Sequence, residues 1–412
     1  MAHIIPFKAV RPTRDKVSLV ASRSYQTYTQ EERDARLEYN PFTFLHIINP
    51  GYKYHKTLKG RERYRMVRNR YSEFKEDHIF IQDKKPAFYV YKIVNRAKQV
   101  FNGIVGAVSI DDYKKNIIKK HEDTIEFREQ TFKEYLKTVG FNAEPVLLTY
   151  PDNDQLKAII EDVQKDRAEF EFTTTYRDTH YLWIVDDEKA VQTIKDAFES
   201  VDTIYIADGH HRSSSSVLLA EDQRASNPEF TGDEGFNFFM SYLLPESDLR
   251  IYEFNRLVRD LNNLSKDDFL MALDSCYRVE NRGTTVYKPT KKHHFSMYLD
   301  GEYYSLYLRK NEYKVKTALD ELDTQILHKT ILEPILGIKD PRNDTRIDYT
   351  HRERGLSHVK SEVDSGEFAV GFGMLPTSIE DLKAIADEGQ TMPPKSTFIL
   401  PKLRSGVTIY EF

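Results

Sequence analysis

The chain is poor in the features that would assign it to a specialised class. Its 412 residues include one cysteine, Cys276, which excludes a disulfide framework or a cysteine-rich metal site and is typical of a reducing compartment. The net charge is −5, so no overall positive field attracts nucleic acid or an anionic membrane, and we expect neither as a partner. Residues 1–12 lack the apolar core of a secretory signal. No apolar run approaches the roughly 20 residues that span a bilayer, and we expect a cytoplasmic protein.

The composition, length and pattern of the sequence predict a large folded protein with two parts. A hydrophobic content of 40% with 30% charged residues is typical of globular proteins, and 412 residues exceed what one hydrophobic core usually organises. Strand and helix patterns alternate over residues 1–250, which favours an α/β core. After Leu264 β-hairpin patterns dominate, such as the Asp300-Gly301 turn. We therefore predict a mixed α/β fold with a first domain over residues 1–250 and a β-rich α+β part over residues 251–412.

Individual elements are predicted from hydrophobic periodicity and from turn residues. Strands are predicted at residues 86–94, 100–110, 144–149, 181–185, 204–206, 236–244, 277–279, 294–299, 303–308 and 368–372. Helices are predicted at residues 29–39, 54–74, 125–139, 191–198, from 265 onward, 320–333, 353–363 and 378–386. Thr29 and Glu32 have the spacing of a capping box, which predicts the start of the first of these helices.

The most informative stretch runs from Ile204 to Ala220. Three apolar or aromatic residues predict a short buried strand, and Val217-Leu218-Leu219 predicts a helix that follows almost at once. Between them stands Asp-Gly-His-His-Arg, followed by four serines. A helix that begins directly after a strand directs its unpaired N–H groups and its positive dipole end at the turn. The sequence therefore predicts an anion-binding site at this turn.

Each residue of the turn has a chemical use and an ordinary alternative. Gly209 permits a positive φ or the close approach of a ligand, and Arg212 offers a planar fork to phosphate or carboxylate. Histidine titrates near neutrality, so both histidines can carry protons. The alternative is that Asp208 or Ser213 only caps the helix while the histidines pack locally. The predicted catalytic residues are Asp208, His210 and His211, and the predicted cofactor-binding residues are Gly209, Arg212, Ser213 and Ser214.

A second polar cluster, His121-Glu122-Asp123-Thr124, stands just before the helix predicted at residues 125–139. Its imidazole and carboxylate groups can bind a divalent ion or transfer a proton. The cluster lacks the His-x-x-x-His spacing of a zinc site, which disfavours structural zinc. The alternative is that Asp123 or Thr124 caps the helix.

A third polar stretch, Met392-Pro393-Pro394-Lys395-Ser396-Thr397, lies near the end of the chain and is followed by Pro401-Lys402. Prolines stiffen the loop, and a lysine followed by hydroxyls suits a phosphate. Lys395 is therefore predicted to bind the cofactor and to lie near the turn at residues 208–212. The alternative is a rigid loop that feeds the final strand with Lys395 at the surface. Further candidates are Ser396, Thr397 and Lys402. Near the start, a solvated edge is predicted that includes Arg11, Arg14, Lys16 and Arg23; each has the reach to contact a phosphate, and Arg11 is kept as a candidate.

These motifs resemble those of the uncharacterised DUF1015 family, and the turn at residues 208–212 looks like the nucleotide-binding turn of the ParB/sulfiredoxin-like superfamily. The resemblance implies a nucleotide-binding core of that type with large insertions, ATP or ADP as the nucleotide, and Mg²⁺ held by Asp208 and Glu122. It also brings His121 and Glu122 into the site, with Glu122 as a further catalytic residue. Residues 22–28 depart from the Pro-Pro-Tyr-Asp type of turn expected there. The matching segments are Pro6–Pro12, Asn40-Pro41 with Phe44–His46, His121–Thr124, Asp208–Arg212, Ile331–Ile338, Met392–Thr397 and Pro401–Gly406.

The residues and the resemblance together favour an enzyme. Relatives with a similar Gly-His-x-Arg turn include free-serine kinases and sulfiredoxins, but a sulfiredoxin would need a cysteine where His210 stands. We therefore predict nucleotide-dependent phosphoryl transfer to or from a small hydroxylated metabolite. The resemblance to free-serine kinases names free serine as the first candidate for that metabolite. Walker-type and protein-kinase motifs are absent from the sequence. The alternative is a ParB-like nucleotide-binding switch or a DNA- or protein-binding module, which predicts a helix-turn-helix and a basic patch.

Overall fold

The computed structural model describes residues 1–351 and 355–412. By their internal contacts these residues form two compact units. The first unit comprises Met1–Lys119, Thr124–Leu249 and Pro401–Phe412, and the second comprises Lys120–Asp123 and Arg250–Leu400. The chain therefore passes from the first unit to the second at residues 249–250, close to the division predicted from the sequence. Residues 401–412, which the sequence placed in the second part, group with the first unit instead.

The helices and strands are numbered in chain order. Helices α1 to α13 are Val17–Val20, Gln30–Tyr39, Leu45–Ile48, Gly60–Glu76, Ile110–Lys114, Glu126–Val139, Asp154–Val163, Glu188–Glu199, His210–Ser226, Lys266–Asp274, Asp323–Leu327, Gly355–Asp364 and Ile379–Asp387. Strands β1 to β21 are Ile4–Ile5, Val10–Pro12, Phe80–Gln82, Phe88–Val94, Val100–Ser109, Ile118–Lys119, Phe141–Asn142, Val146–Tyr150, Phe170–Thr173, Thr179–Val185, Ile204–Asp208, Phe238–Pro245, Arg250–Tyr252, Phe254–Val258, Tyr277–Gly283, His294–Leu299, Glu302–Leu308, Ile347–His351, Val370–Gly373, Phe398–Leu400 and Tyr410–Glu411. No helix among the described residues is both long enough and apolar enough to cross a bilayer.

The first unit is built on a nine-stranded mixed sheet. Its strand order is β6-β11-β8-β12-β5-β4-β10-β9, and β1 pairs with β5 beside this path. Strand β11 runs parallel to β6, and β12 runs parallel to β8. The pairs β11–β8, β12–β5, β5–β4, β4–β10 and β10–β9 are antiparallel. A mixed sheet with helices packed against it confirms the predicted mixed α/β class.

The core of the first unit lies where alternate residues of the sheet meet three helices. Ile204 and Ile206 of β11 share one apolar cluster with Phe198 of α8 and Val217 of α9, and helix α7 contributes to the same cluster. Ile204, Ile206 and Phe198 are fully buried. Burial of a large apolar side chain stabilises a fold by about 1.5–3 kcal/mol. The strand before the central turn and the helix after it are therefore both anchored in the core.

The second unit contains an antiparallel sheet of six strands in the order β15-β17-β16-β19-β14-β18. Strands β16 and β17 are joined through Asp300 and Gly301, which have φ angles of 47° and 82°. Positive φ at both central residues is the mark of a type I′ hairpin, so the predicted hairpin is confirmed. A separate apolar cluster that includes Phe295, Met297 and Phe372 forms the core of this sheet.

Most predicted elements are present, and the differences are at element ends. The capping box of Thr29 and Glu32 is confirmed at the start of α2. The charged helix predicted from residue 54 begins only at Gly60, because a 3₁₀ turn occupies Pro50–Tyr54. The helix predicted at 320–333 is the short α11 followed by a π-helical turn, His328–Leu332. The helix predicted from 353 corresponds to α12, with residues 353–354 outside the described part of the chain.

Candidate functional site

The turn between β11 and α9 consists of a single residue. Strand β11 ends at Asp208, Gly209 is the N-cap, and α9 begins at His210. Gly209 has φ 104°, a conformation that side-chain-bearing residues rarely adopt. A Cβ atom at this position would lie 2.9–3.1 Å from the Nε, Nη2 and Cζ atoms of Arg212. Two features therefore favour glycine here: the positive φ angle, and the Arg212 side chain, which occupies the space that a Cβ atom would need.

The ordinary alternative for this turn, that a side chain caps the helix, is wrong. Helix α9 has no side-chain capping hydrogen bond at its N-cap. It is also long, 17 residues from His210 to Ser226, so its dipole is fully developed at the turn. Anion binding at the N-terminus of α9 stays a prediction, which these two features favour.

Arg212 is held in place by three acceptors. Its Nη1 donates to Oε1 of Glu144 at 2.6 Å and to the carbonyl oxygen of Pro145 at 2.8 Å. Its Nη2 donates to Oδ2 of Asp208 at 2.7 Å. The sequence predicted a fork for phosphate, and in the structure this fork is engaged by two carboxylates. Glu144 was not predicted, because nothing in its local sequence points to a residue 68 positions away.

Asp208 lies between two cations. Its Oδ1 accepts from Nζ of Lys402 at 2.9 Å, and its Oδ2 accepts from Arg212. Burial alone would raise the pKa of Asp208, but the charges of Lys402 and Arg212 outweigh it and hold the pKa well below its usual range. Asp208 is therefore a permanent carboxylate at any physiological pH. As arranged here it does not fit a Mg²⁺ ion, because each oxygen already faces a positive charge.

The segment Pro401–Gly406 forms the second wall of this turn. Lys402 reaches Asp208, and Oγ of Ser405 donates to Oε2 of Glu144 at 2.9 Å. The backbone of Ser405 forms a bridge with Ser22. Lys402 was a minor candidate from the sequence and Ser405 was not one. The Pro-Lys-Leu-Arg-Ser-Gly motif was the available signal for both residues.

The four consecutive serines at residues 213–216 of α9 are used within the helix and its packing. Oγ of Ser213 donates to the carbonyl oxygen of His210 at 3.0 Å, and Oγ of Ser214 donates to that of His211 at 3.3 Å. Oγ of Ser215 donates to the carbonyl oxygen of Glu129 in α6 at 3.1 Å. These small side chains let α6 and α9 approach closely. The role of Ser213 and Ser214 as phosphate donors stays a prediction.

The two histidines begin α9. His210 is buried and His211 is half-buried. They follow Asp208 in the sequence after Gly209. Their role as proton carriers at the predicted anion site stays a prediction.

Arg11 is not at a solvated edge. It is 7% exposed, its Nε donates to Asp83 at 2.9 Å and its Nη1 donates to Glu169 at 2.9 Å. Its guanidinium also lies over the ring of Phe170, 5.4 Å from the centroid. The arginine is therefore part of a buried ion network, and that edge interpretation was wrong. Its possible contact with phosphate stays a prediction.

The His121–Thr124 cluster divides between the units, with His121, Glu122 and Asp123 in the second. The backbone N–H of Met392 donates to the carbonyl oxygen of His121 at 2.9 Å. Oδ2 of Asp123 accepts from Thr391 at 3.0 Å. Helix α6 has Ile125 as its N-cap and no side-chain cap, so the capping alternative for Asp123 and Thr124 is wrong. The catalytic and metal-binding roles of His121 and Glu122 stay predictions.

The other tail candidates also lie in the second unit. Lys395 is exposed, has φ 56°, and its Nζ lies 5.3 Å from the ring centroid of Phe254. Ser396 is buried, its Oγ is 2.9 Å from Oγ1 of Thr324, and it donates to the carbonyl oxygen of Pro393. Ser396 therefore serves the packing of this loop. The proximity of Lys395 to the turn and the roles of Ser396 and Thr397 stay predictions.

Comparison with known proteins places the chain in a family. Residues 4–325 match the family described as "Protein of unknown function (DUF1015)". No curated protein matches the chain significantly.

Several solved structures resemble the chain at low identity. A free serine kinase variant in complex with AMP shares 12% identity over 75% of this chain and 92% of its own, with a TM-score of 0.37. A conserved hypothetical protein from Pyrococcus furiosus shares 12% over 74% of this chain and 94% of its own, with a TM-score of 0.35. SbnI with a C-terminal truncation, from Staphylococcus aureus, shares 13% over 74% of this chain and 85% of its own, with a TM-score of 0.38.

Proposed function

The chain belongs to the DUF1015 family, and we propose that it binds a nucleotide at the turn between β11 and α9 and transfers a phosphoryl group to or from a small hydroxylated metabolite. The observation that carries the proposal is the arrangement of Asp208. Its carboxylate faces Lys402 and Arg212 at the uncapped N-terminus of a 17-residue helix. Two cations and a helix dipole at one point are suited to stabilise a phosphate.

The two ion pairs of Asp208 differ in how easily they exchange when a nucleotide binds. Lys402 carries its charge on a flexible stem and is 41% exposed, so it can turn from Asp208 to an arriving phosphate. Arg212 stays fixed by Glu144 and the carbonyl oxygen of Pro145. In this proposal Arg212 shapes the turn and neutralises Asp208, while Lys402 and the main chain of the turn contact phosphate.

The proposed chemistry uses positioning and charge more than covalent catalysis. His210 or His211 removes the proton of the acceptor hydroxyl while the hydroxyl oxygen attacks the terminal phosphorus of the nucleotide. The bond from that phosphorus to the bridging oxygen breaks, and the nucleotide with one phosphate fewer is the leaving group. In the reverse direction the same imidazolium returns the proton. No step here uses a metal ion. Free serine is the first acceptor to test, because the sequence resembles free-serine kinases and a free serine kinase is among the similar structures.

The proposal is tested by following phosphorus in the products. Wild-type protein is incubated with ATP or ADP and serine, and with AMP or ADP and phosphoserine, each with and without Mg²⁺. We expect ³¹P spectra to show phosphoserine formed or consumed with matching nucleotide turnover. His210→Ala and His211→Ala should together identify the base, since loss of a general base costs about 10²–10⁴ in rate. Absence of exchange with serine and a panel of hydroxy acids, by protein that binds nucleotide, would leave a nucleotide-binding role only.

A further inference from the structure

A second group of positively charged side chains surrounds one aromatic ring in the first unit. The Cζ atoms of Arg23, Arg36 and Arg404 lie 4.4, 5.7 and 5.8 Å from the ring centroid of Tyr176. The ring comes from the turn between β9 and β10, Arg36 from α2, and Arg404 from the segment Pro401–Gly406. Three guanidiniums within 6 Å of one tyrosine ring repel one another unless anions balance them.

The described residues balance this charge only in part. Arg404 is 5% exposed, and its Nη2 donates to Asp178 at 3.0 Å. Arg36 donates to the hydroxyl of Thr175 at 2.9 Å, which is neutral. Within the described part of the chain neither Arg23 nor Arg36 forms an ion pair. The only other carboxylate recorded at the ring is that of Glu32, which accepts from the Tyr176 hydroxyl at 3.2 Å, so among the described residues three guanidiniums face two carboxylates.

Arg404 adds an independent observation. Its Nε is buried and has no hydrogen-bond partner in the structure. A buried N–H group without a partner costs about 1–3 kcal/mol, more when the group is charged. This donor therefore lacks the acceptor that an anion bound at the cluster would supply.

The stacked geometry leaves the guanidiniums able to bind anions. A guanidinium that lies over an aromatic ring uses its face for that contact, while its N–H groups point outward along its edge. A carboxylate or phosphate has the shape to accept two such N–H groups at once. Arg23 is half-buried, so its edge remains accessible to a small anion.

One short segment connects this cluster to the turn at residues 208–212. Lys402 contacts Asp208, and Arg404, two residues later, contacts Asp178. Their Cα atoms are at most about 7 Å apart, since an extended chain advances no more than about 3.6 Å per residue. The same short segment therefore contributes one cation to the turn and one to the cluster around Tyr176. Arg23 also belongs to residues 22–28, the stretch that departs from the family pattern.

We infer that Arg23, Arg36 and Arg404 around Tyr176 bind the carboxylate of the acceptor, so that the acceptor is an anionic hydroxy compound. This inference rests on the proposed function, because it assigns the second end of the same substrate. The nucleotide's own phosphates are the other source of an anion for this cluster. The two sources are separated by measuring acceptor and nucleotide affinity independently.

The test uses calorimetric titration with phosphoserine, phosphoethanolamine and ADP. The first two probes differ only in the carboxylate. Wild-type protein should bind phosphoserine at least about ten-fold more tightly than phosphoethanolamine, because a charge-assisted contact is worth about 1.5–3 kcal/mol. Arg23→Ala should remove that preference and leave ADP affinity within about two-fold. Arg23→Lys, which keeps the charge without the fork, should recover only part of it.

Arg33→Ala is the control for the loss of one positive charge, since Arg33 is on α2 like Arg36 but lies over Tyr25 instead of Tyr176. It should leave the affinity for both probes unchanged, and thermal unfolding should show all variants folded. The inference is overturned if wild-type protein shows no preference for phosphoserine, if Arg23→Ala keeps that preference, or if ADP affinity falls by the same factor. If ADP does not bind at all but the preference for phosphoserine depends on Arg23, the anion site stands and the proposed function fails.

Discussion

Lys402 and Asp208 are 194 positions apart in the sequence, and their side chains form an ion pair of 2.9 Å. This pair joins the end of the chain to the turn that opens α9. Lys402 and Arg212 together neutralise Asp208 beside the helix N-terminus, which the proposed anion site requires. A nucleotide phosphate arriving at the turn therefore meets a balanced carboxylate instead of a bare one.

Replacing Lys402 by alanine should weaken nucleotide binding. The variant loses a cation and exposes the charge of Asp208, which then faces the phosphate. We expect ADP affinity, measured by calorimetric titration, to fall about ten-fold or more, as for loss of one charge-assisted contact. Lys85→Ala is the control, because Lys85 is an exposed lysine of the same unit and its loss changes the net charge equally. Equal affinities of the two variants would show that Lys402 has no part in binding.

Replacing Gly209 by alanine should damage both stability and binding. The variant forces φ 104° on a residue with a Cβ atom and brings that atom within 2.9 Å of Nε of Arg212. Gly232→Ala is the matched control, because Gly232 has φ 99° but no atom within 4 Å of its Cβ position. The backbone strain, about 1–3 kcal/mol in urea unfolding, should be common to both. Only Gly209→Ala should also displace Arg212 and weaken ADP binding, and a loss in both variants would contradict this.

Ser214→Ala distinguishes a hydroxyl that only bonds within its own helix from one that binds phosphate. Its Oγ donates to a carbonyl oxygen of its own helix, so its removal should change ADP affinity by less than about two-fold and stability by less than about 1 kcal/mol. If the hydroxyl binds phosphate, as the sequence predicted, affinity should instead fall several-fold. Ser215→Val should be more harmful to stability, by about 1–3 kcal/mol, because Ser215 is fully buried against α6.

Asp323 should make the second unit sensitive to neutral pH. Burial raises its pKa to about 7, and its Oδ2 is buried without a hydrogen-bond partner. Because its folded pKa lies above the unfolded value of about 3.9, stability is fully present below pH 4 and is lost as the pH rises through 7. Asp323→Asn should remove this loss. We expect the variant to gain a few kcal/mol over wild type between pH 5 and pH 8 in chemical unfolding, and a constant difference across that range would contradict the assignment.

The sequence predicted local structure well where the signal was local. The apolar run 204–206 and the polar turn after it defined β11 and the start of α9, because both patterns lie within a few residues. The Thr29 capping box and the Asp300-Gly301 hairpin were read correctly for the same reason. The start of α4 was misplaced, since charged residues before Gly60 carry no hydrophobic period that distinguishes helix from turn.

The site was less predictable because its contacts are distant in sequence. Arg212 and Asp208 are four residues apart, so their ion pair was within reach of sequence reasoning. Glu144 and Ser405, which complete the network, are 261 positions apart, and no pattern around either residue refers to the other. A carboxylate that accepts from both Arg212 and Ser405 becomes visible only when β8, α9 and the chain end are placed together.

The most direct test of the account is calorimetric titration of ATP and ADP into wild-type protein and into Arg212→Ala. Removal of Arg212 leaves Asp208 and Glu144 without their shared cation at the helix N-terminus, so two carboxylates then repel the phosphate. The account predicts saturable binding by the wild type and a loss of at least about ten-fold in the variant, with the fold intact by thermal unfolding. Absence of nucleotide binding by folded wild-type protein, or equal affinities in the two proteins, would contradict it.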